Sequence, residues 1–120
     1  MSTDSPKLGT VRIAPSVLAM IANLTTLETP GVAKMGVGSN LHPAGGGLRT
    51  LSRGQQGASD GVRLVVLDGA VHVDVAVVAQ PGHSLRHLGK AVQQAVADAL
   101  RLMVGMPVAE VNVFIEDVAD

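Results

Sequence analysis

The stretch Val62-Arg-Leu-Val-Val-Leu-Asp-Gly-Ala-Val-His-Val-Asp-Val-Ala-Val-Val-Ala79 decides how the rest of the chain is read. β-Branched residues dominate both halves, and Asp68-Gly69 between them is a dipeptide that favours a two-residue hairpin turn. Residues 62–67 and 70–79 are therefore expected to be antiparallel strands. Strand side chains alternate between faces. Val71, Val73, Val75 and Val77 share one face, and His72, Asp74, Ala76 and Val78 share the other. The first face is wholly aliphatic and needs a covering layer, whereas the second is mixed.

Working outward toward the C-terminus, Pro81-Gly82 breaks the strand and Ser84 is a helix N-cap. Leu85, Leu88, Val92, Val96, Ala99 and Met103 then recur at three and four, one apolar stripe on a helix of about five turns. Gly105 and Pro107 close it. Residues 108–118 form a last strand, with Val111, Val113 and Ile115 on one face and Glu110, Asn112, Phe114 and Glu116 on the other. Toward the N-terminus, Pro15 opens a helix carrying Val17, Leu18, Ile21 and Leu24, which stops before Pro30-Gly31. A short strand over 32–37 follows it, and the alternation in Gly9-Thr-Val-Arg-Ile13 predicts another before it.

Residues 38–61 hold His42-Pro43, Gly45-Gly46-Gly47 and Gly54-Gln-Gln-Gly57, and nine of the fourteen glycines lie between Gly31 and Gly61. This reads as a flexible glycine-rich loop, of a length that is functional or disordered when it occurs inside a domain. Residues 1–8 read as a flexible polar tail, and residues 9–120 as a single domain. The resulting fold class is α+β: a two-layer sandwich with one mainly antiparallel or mixed β-sheet and two helices on one face. No internal repeat is visible.

The 120 residues suffice for one domain with its own core. Phe114 is the single aromatic residue, so nineteen Val, fifteen Ala and thirteen Leu must build that core. With no cysteine there is no disulfide framework, thiolate nucleophile or cysteine-ligated metal. One ring is too few for aromatic base stacking, and a net charge of −1 is not the footprint of a polyanion binder. The polar start, with Asp4 and Pro6, is no signal peptide. No apolar run approaches the roughly 20 residues of a membrane helix. The expectation is a soluble, cytoplasmic protein without direct membrane insertion.

If helices cover only one side, the mixed face is open and half apolar. Arg63, Val65, His72, Asp74, Val78, Asn112 and Phe114 then make an expected protein-interaction face, in which a second copy is a frequent partner. The alternative is a solvated sheet with scattered apolar residues. Other constellations are weaker. His83 and His87 have a metal-ligand spacing but no third ligand, and Arg86 and Lys90 would repel a cation. His72 and Asp74 have no nucleophile beside them, Ser84 being explained as a cap. Gly54-Gln-Gln-Gly57, with Arg49 and Arg53 nearby, matches the GxxG loop of KH domains. That loop joins two helices, whereas this one lies between strands; Arg49, Arg53, Gly54 and Gly57 stand as the alternative nucleic-acid contact. No catalytic residue, metal ligand or cofactor is expected.

The order of short motifs resembles the alkaline shock, or envelope stress response, proteins of Gram-positive and related bacteria. The matching pieces are Gly9-Thr-Val-Arg-Ile-Ala14, Val17-Leu18 with Ile21-Ala22, Thr29-Pro30-Gly31-Val32, Gly61-Val62-Arg63, Asp68-Gly69-Ala70-Val71 and Val73-Asp74-Val75. Val92-Gln93, Val96, Met103-Val104-Gly105, Val108 and Glu110-Val111-Asn112-Val113 complete the match. The resemblance implies a small α/β protein of the cytoplasm, linked to envelope stress and without known catalytic residues. Family members assemble with themselves, are held at the membrane by a separate anchoring protein, or are connected to regulation of fatty-acid synthesis. Two departures stand out: Gln80-Pro81-Gly82 replaces a common aromatic–Gly pair, and the glycine-rich loop lacks a charged helical insert. The reading is a non-catalytic scaffold acting through self-association and protein partners, a membrane-anchoring protein among them. The alternatives are a KH-like nucleic-acid module and a regulator of fatty-acid or envelope metabolism.

Overall fold

A computed structural model describes residues 7–38, Leu41 and residues 54–120. The elements run α1 (Pro15–Glu28), β1 (Val32–Met35), β2 (Gln55–Ser59), β3 (Val62–Leu67), β4 (Ala70–Ala79), α2 (Leu85–Val104) and β5 (Val108–Val118). Two helices lie on one face of a five-stranded sheet, the α+β sandwich expected.

β4 is the spine of the sheet. One edge pairs in parallel with β5 from Val71 to Ala79. The other is shared end to end: β3 pairs antiparallel with its first half, Leu67 opposite Ala70 and Val62 opposite Val75. β1 pairs antiparallel with its last residues, Met35 opposite Val77. Ala76 is the junction between them: its N–H donates to the Gly61 carbonyl and its carbonyl accepts from Gly36 N–H, each at 2.8 Å. β2 adds outside β3.

The turn at Asp68-Gly69 forms as its composition dictates, with both residues at positive φ (52° and 78°), the geometry that matches strand twist. The long helix also forms as expected. Ser84 Oγ accepts from His87 N–H, and Gly105 ends the helix in a left-handed conformation with its N–H on the Arg101 carbonyl. The buried stripe is Leu88, Val92, Val96 and Leu100, whereas Leu85 and Met103, expected within it, are exposed. Steps of four drift about 40° around a helix of 3.6 residues per turn, so the stripe crosses the sheet obliquely.

The core is Val62, Leu64, Val71, Val73, Val75 and Val77 against Leu18, Ala19 and Ala22 of α1 and the α2 stripe. Each larger side chain contributes roughly 1.5–3 kcal/mol by leaving water, so aliphatic residues suffice without aromatics.

Three boundaries differ from the sequence reading. Residues 9–13 belong to no strand; they are exposed, and none of their backbone groups bonds another described residue. The stretch read as loop contains β2, from Gln55 to Ser59, joined to β3 by the two-residue turn Asp60-Gly61. β1 ends at Met35 rather than residue 37, because β3 takes over the same edge of β4 at Val75; the N–H groups of Val37 and Gly38 donate instead to the Glu116 carboxylate.

Candidate interaction surfaces

The sheet face away from the helices carries a row of polar contacts between β4 and β5. His72 Nδ1 lies 3.2 Å from Glu110 Oε2. Asn112 Nδ2 donates to Asp74 Oδ1 at 2.9 Å and to Glu110 Oε1 at 3.3 Å. The strand register produces this row, since His72 stands opposite Glu110 and Asp74 opposite Asn112. Arg63 faces Asp74 from β3. Each group satisfies another, so the cluster stitches a parallel strand pair. Among the described residues no group of three or more His, Asp or Glu is placed to hold a metal ion.

Alternation assigned the seven expected interaction residues to this one face, and the structure places them there. Their exposure is uneven. Arg63 and Phe114 are exposed and His72 and Asn112 half-buried, but Val65, Asp74 and Val78 are buried. The face is less open than the alternation implied. Phe114, opposite Ala76 and 37% exposed, is its exposed large apolar side chain.

At the end of this face Glu116 crosses β4. Its Oε1 accepts from Val37 N–H at 2.9 Å and its Oε2 from Gly38 N–H at 3.1 Å. A cleft of ≈ 650 Å³ opens beside this junction, between residues 35–38 with Leu41 and the β2–β3 hairpin. Its ionisable lining side chains are Asp60 and Arg63, which offer hydrogen bonds to a partner rather than an acid–base pair. A shallower groove of ≈ 450 Å³ runs between α2 and β5, lined by Gln93, Arg101, Val108, Glu110 and Val111 among others.

The surface that the sequence reading missed is on α1. Between Pro15 and Leu27 this helix has no charged residue. Leu18, Ala19, Ala22 and Thr26 face the core, yet the outer side is apolar too: Val17, Met20, Leu24 and Leu27 are 43–55% exposed. Their spacing of three, four, three is the a/d seam of a helix that packs on another helix. The signal was available as the absence of any charge along the helix before Glu28. A helix apolar all round belongs in a buried setting.

The remaining candidates are quickly placed. His83 and His87 are exposed at the start of α2, and Ser84 is the cap of that helix. Gly57 lies within β2, where an added Cβ would collide with the Pro15 carbonyl, so it lets α1 approach the sheet. Gly54 immediately precedes β2. The Gly54–Gly57 pair thus leads into a strand rather than joining two helices. Arg49 and Arg53 lie outside the described residues.

Comparison with known proteins adds three findings. The sequence profile of the alkaline shock protein family, described as having a cell envelope-related function, matches residues 3–119. The uncharacterized protein YqhY of Bacillus subtilis (strain 168) is 30% identical over 115 residues, covering 96% of this chain and 81% of that protein. Among solved structures, MamM CTD H264E aligns with a TM-score of 0.48 at 12% identity, over 84% of this chain and 92% of that one.

Proposed function

From the premise that the chain belongs to the alkaline shock protein family, whose function is cell envelope-related, we propose that it is a non-catalytic scaffold working by self-association and by docking protein partners. One observation carries this reading: the charge-free outer seam Val17, Met20, Leu24 and Leu27 of α1. The four side chains expose on the order of 350 Å² of apolar surface, a little under half of what each partner contributes to a standard interface. The a/d spacing favours a helix as the occupant, and the α1 of a second copy supplies an identical seam. The exposed part of the far sheet face, Arg63, His72, Asn112 and Phe114, is the proposed docking surface for other proteins. No helix among the described residues is long and apolar enough to cross a membrane. The proposed location is the cytoplasm, with the membrane reached through an anchoring partner.

The test is a double substitution, Met20→Glu with Leu24→Glu, read by light scattering alongside circular dichroism. Both positions are half exposed, so the fold should persist while assemblies dissociate to the 12.2 kDa chain. Unchanged assembly of the folded variant would reject α1 as the contact.

A further inference from the structure

We infer that residues 9–13 form a strand only in the assembled protein, by pairing with the outer edge of β5 in another copy. The inference rests on the self-association proposed above and names a second contact for it.

The sequence of this arm is that of a strand, with Thr10, Val11 and Ile13 β-branched and apolar residues alternating with polar ones. No described residue of its own protomer pairs with it. Leu8 and Val11 are 92% and 90% exposed, and the arm's backbone bonds no described residue. A backbone patterned for a ladder but left without one finds its partner on an open sheet edge.

Among the described residues three strands are bonded to one neighbour, β1, β2 and β5; β1 has four residues and a base, Lys34, with no acid to meet Arg12. β5 fits the arm on both faces. In a strand Val11 and Ile13 point one way and Arg12 the other. Beside β5, Val11 and Ile13 would extend the row Val111, Val113 and Ile115, which is left half-buried at the margin of the core. Arg12 would then fall on the face carrying Glu110 and Glu116. β5 holds those two acids and Asp117 with no base, while residues 7–14 hold Lys7 and Arg12 with no acid. The groove between α2 and β5 gives the arm's apolar side chains a bed. Its bases, Lys90 and Arg101, are on the helix side, away from Arg12. Gln93 Nε2 already donates to the Val111 carbonyl at 3.1 Å, a side chain standing in for a strand's N–H. β2 has no charge and no large apolar side chain to match.

The pairing must be between copies. Pro15 is packed on Gly57 of β2, and β5 lies beyond β3 and β4, three strand spacings or roughly 14 Å away. Ile13, two residues before Pro15, reaches about 7 Å. Donor and acceptor surfaces differ, so each copy gives one arm and receives one, as a closed exchange or an extending chain.

The absence of cysteine makes the test direct. Single-cysteine chains, Arg12→Cys and separately Asn112→Cys, Phe114→Cys and Ala58→Cys, all on the far sheet face in the proposed pairing, are mixed in pairs and oxidised. Arg12→Cys should cross-link to the β5 positions in mixed dimers at least severalfold more than to Ala58→Cys on β2. Hydrogen exchange of the unmodified protein provides a check free of substitutions: amides of residues 10–13 should become protected as concentration rises. Cross-links to β2, or an arm that stays unprotected while the protein assembles, would overturn the arm's placement. A protein that never assembles would instead overturn the self-association on which it rests.

Discussion

At the residue scale, Glu116 shows how one side chain secures the chain where a strand ends. Its two carboxylate oxygens accept the N–H groups of Val37 and Gly38, just past the end of β1, where β3 already occupies the edge of β4. Hydrogen bonds to an ionised group contribute roughly 1.5–3 kcal/mol where they are shielded from water, and Glu116 is half-buried. Glu116→Ala is therefore predicted to lower stability by about 1–3 kcal/mol, read as a lower midpoint in urea. Gly36 is tied to the same contact, since a Cβ there would lie 2.5 Å from Glu116 Oε1. None of this was visible in the sequence, where Glu116 was one of the polar residues on the mixed face of the last strand. A contact spanning 79 positions leaves no local pattern to read.

At the element scale, what could be read depended on whether an element carries its own signal. The 62–79 hairpin and α2 have their turn, cap and terminator residues in place, so local preference and fold agree. β2 does not. Asp60-Gly61 is the same dipeptide as Asp68-Gly69, but Gln55–Ser59 contains no β-branched residue, so the hairpin signal stood without a strand in front of it. Backbone pairing with β3 and the approach of α1 at Gly57 hold this strand in place of propensity. Residues 9–13 are the converse, a strand pattern with no partner among the described residues. The account of β2 predicts that Gly57→Ala, which would push α1 off the sheet, costs about 1–3 kcal/mol. Gly89→Ala, with nothing within 4 Å of the new methyl and an α2 interior position, should instead stabilise by up to about 1 kcal/mol. Thermal melts of the two variants should move in opposite directions.

At the scale of the whole molecule, the two layers leave different kinds of surface. The far sheet face is polar at its centre and satisfied within itself by His72, Glu110, Asn112 and Asp74. The helical face carries the uncharged seam of α1. Alternation along β3, β4 and β5 assigned the far-face residues correctly to one side. It could not foresee that Val65, Asp74 and Val78 would be buried there, since burial depends on the heights of neighbours across strands. The residues Val17, Leu18, Ile21 and Leu24, which mark α1 in the sequence, fall on two sides of it. Leu18 faces inward at 1% exposure, while Val17 and Leu24 face out at 43% and 55%.

The central claim is that this molecule works as an assembly built from copies of itself. Sedimentation of the unmodified chain over a wide concentration series tests it most directly. The account predicts a mass that rises above 12.2 kDa with concentration. A single species of that mass across the whole series would contradict it.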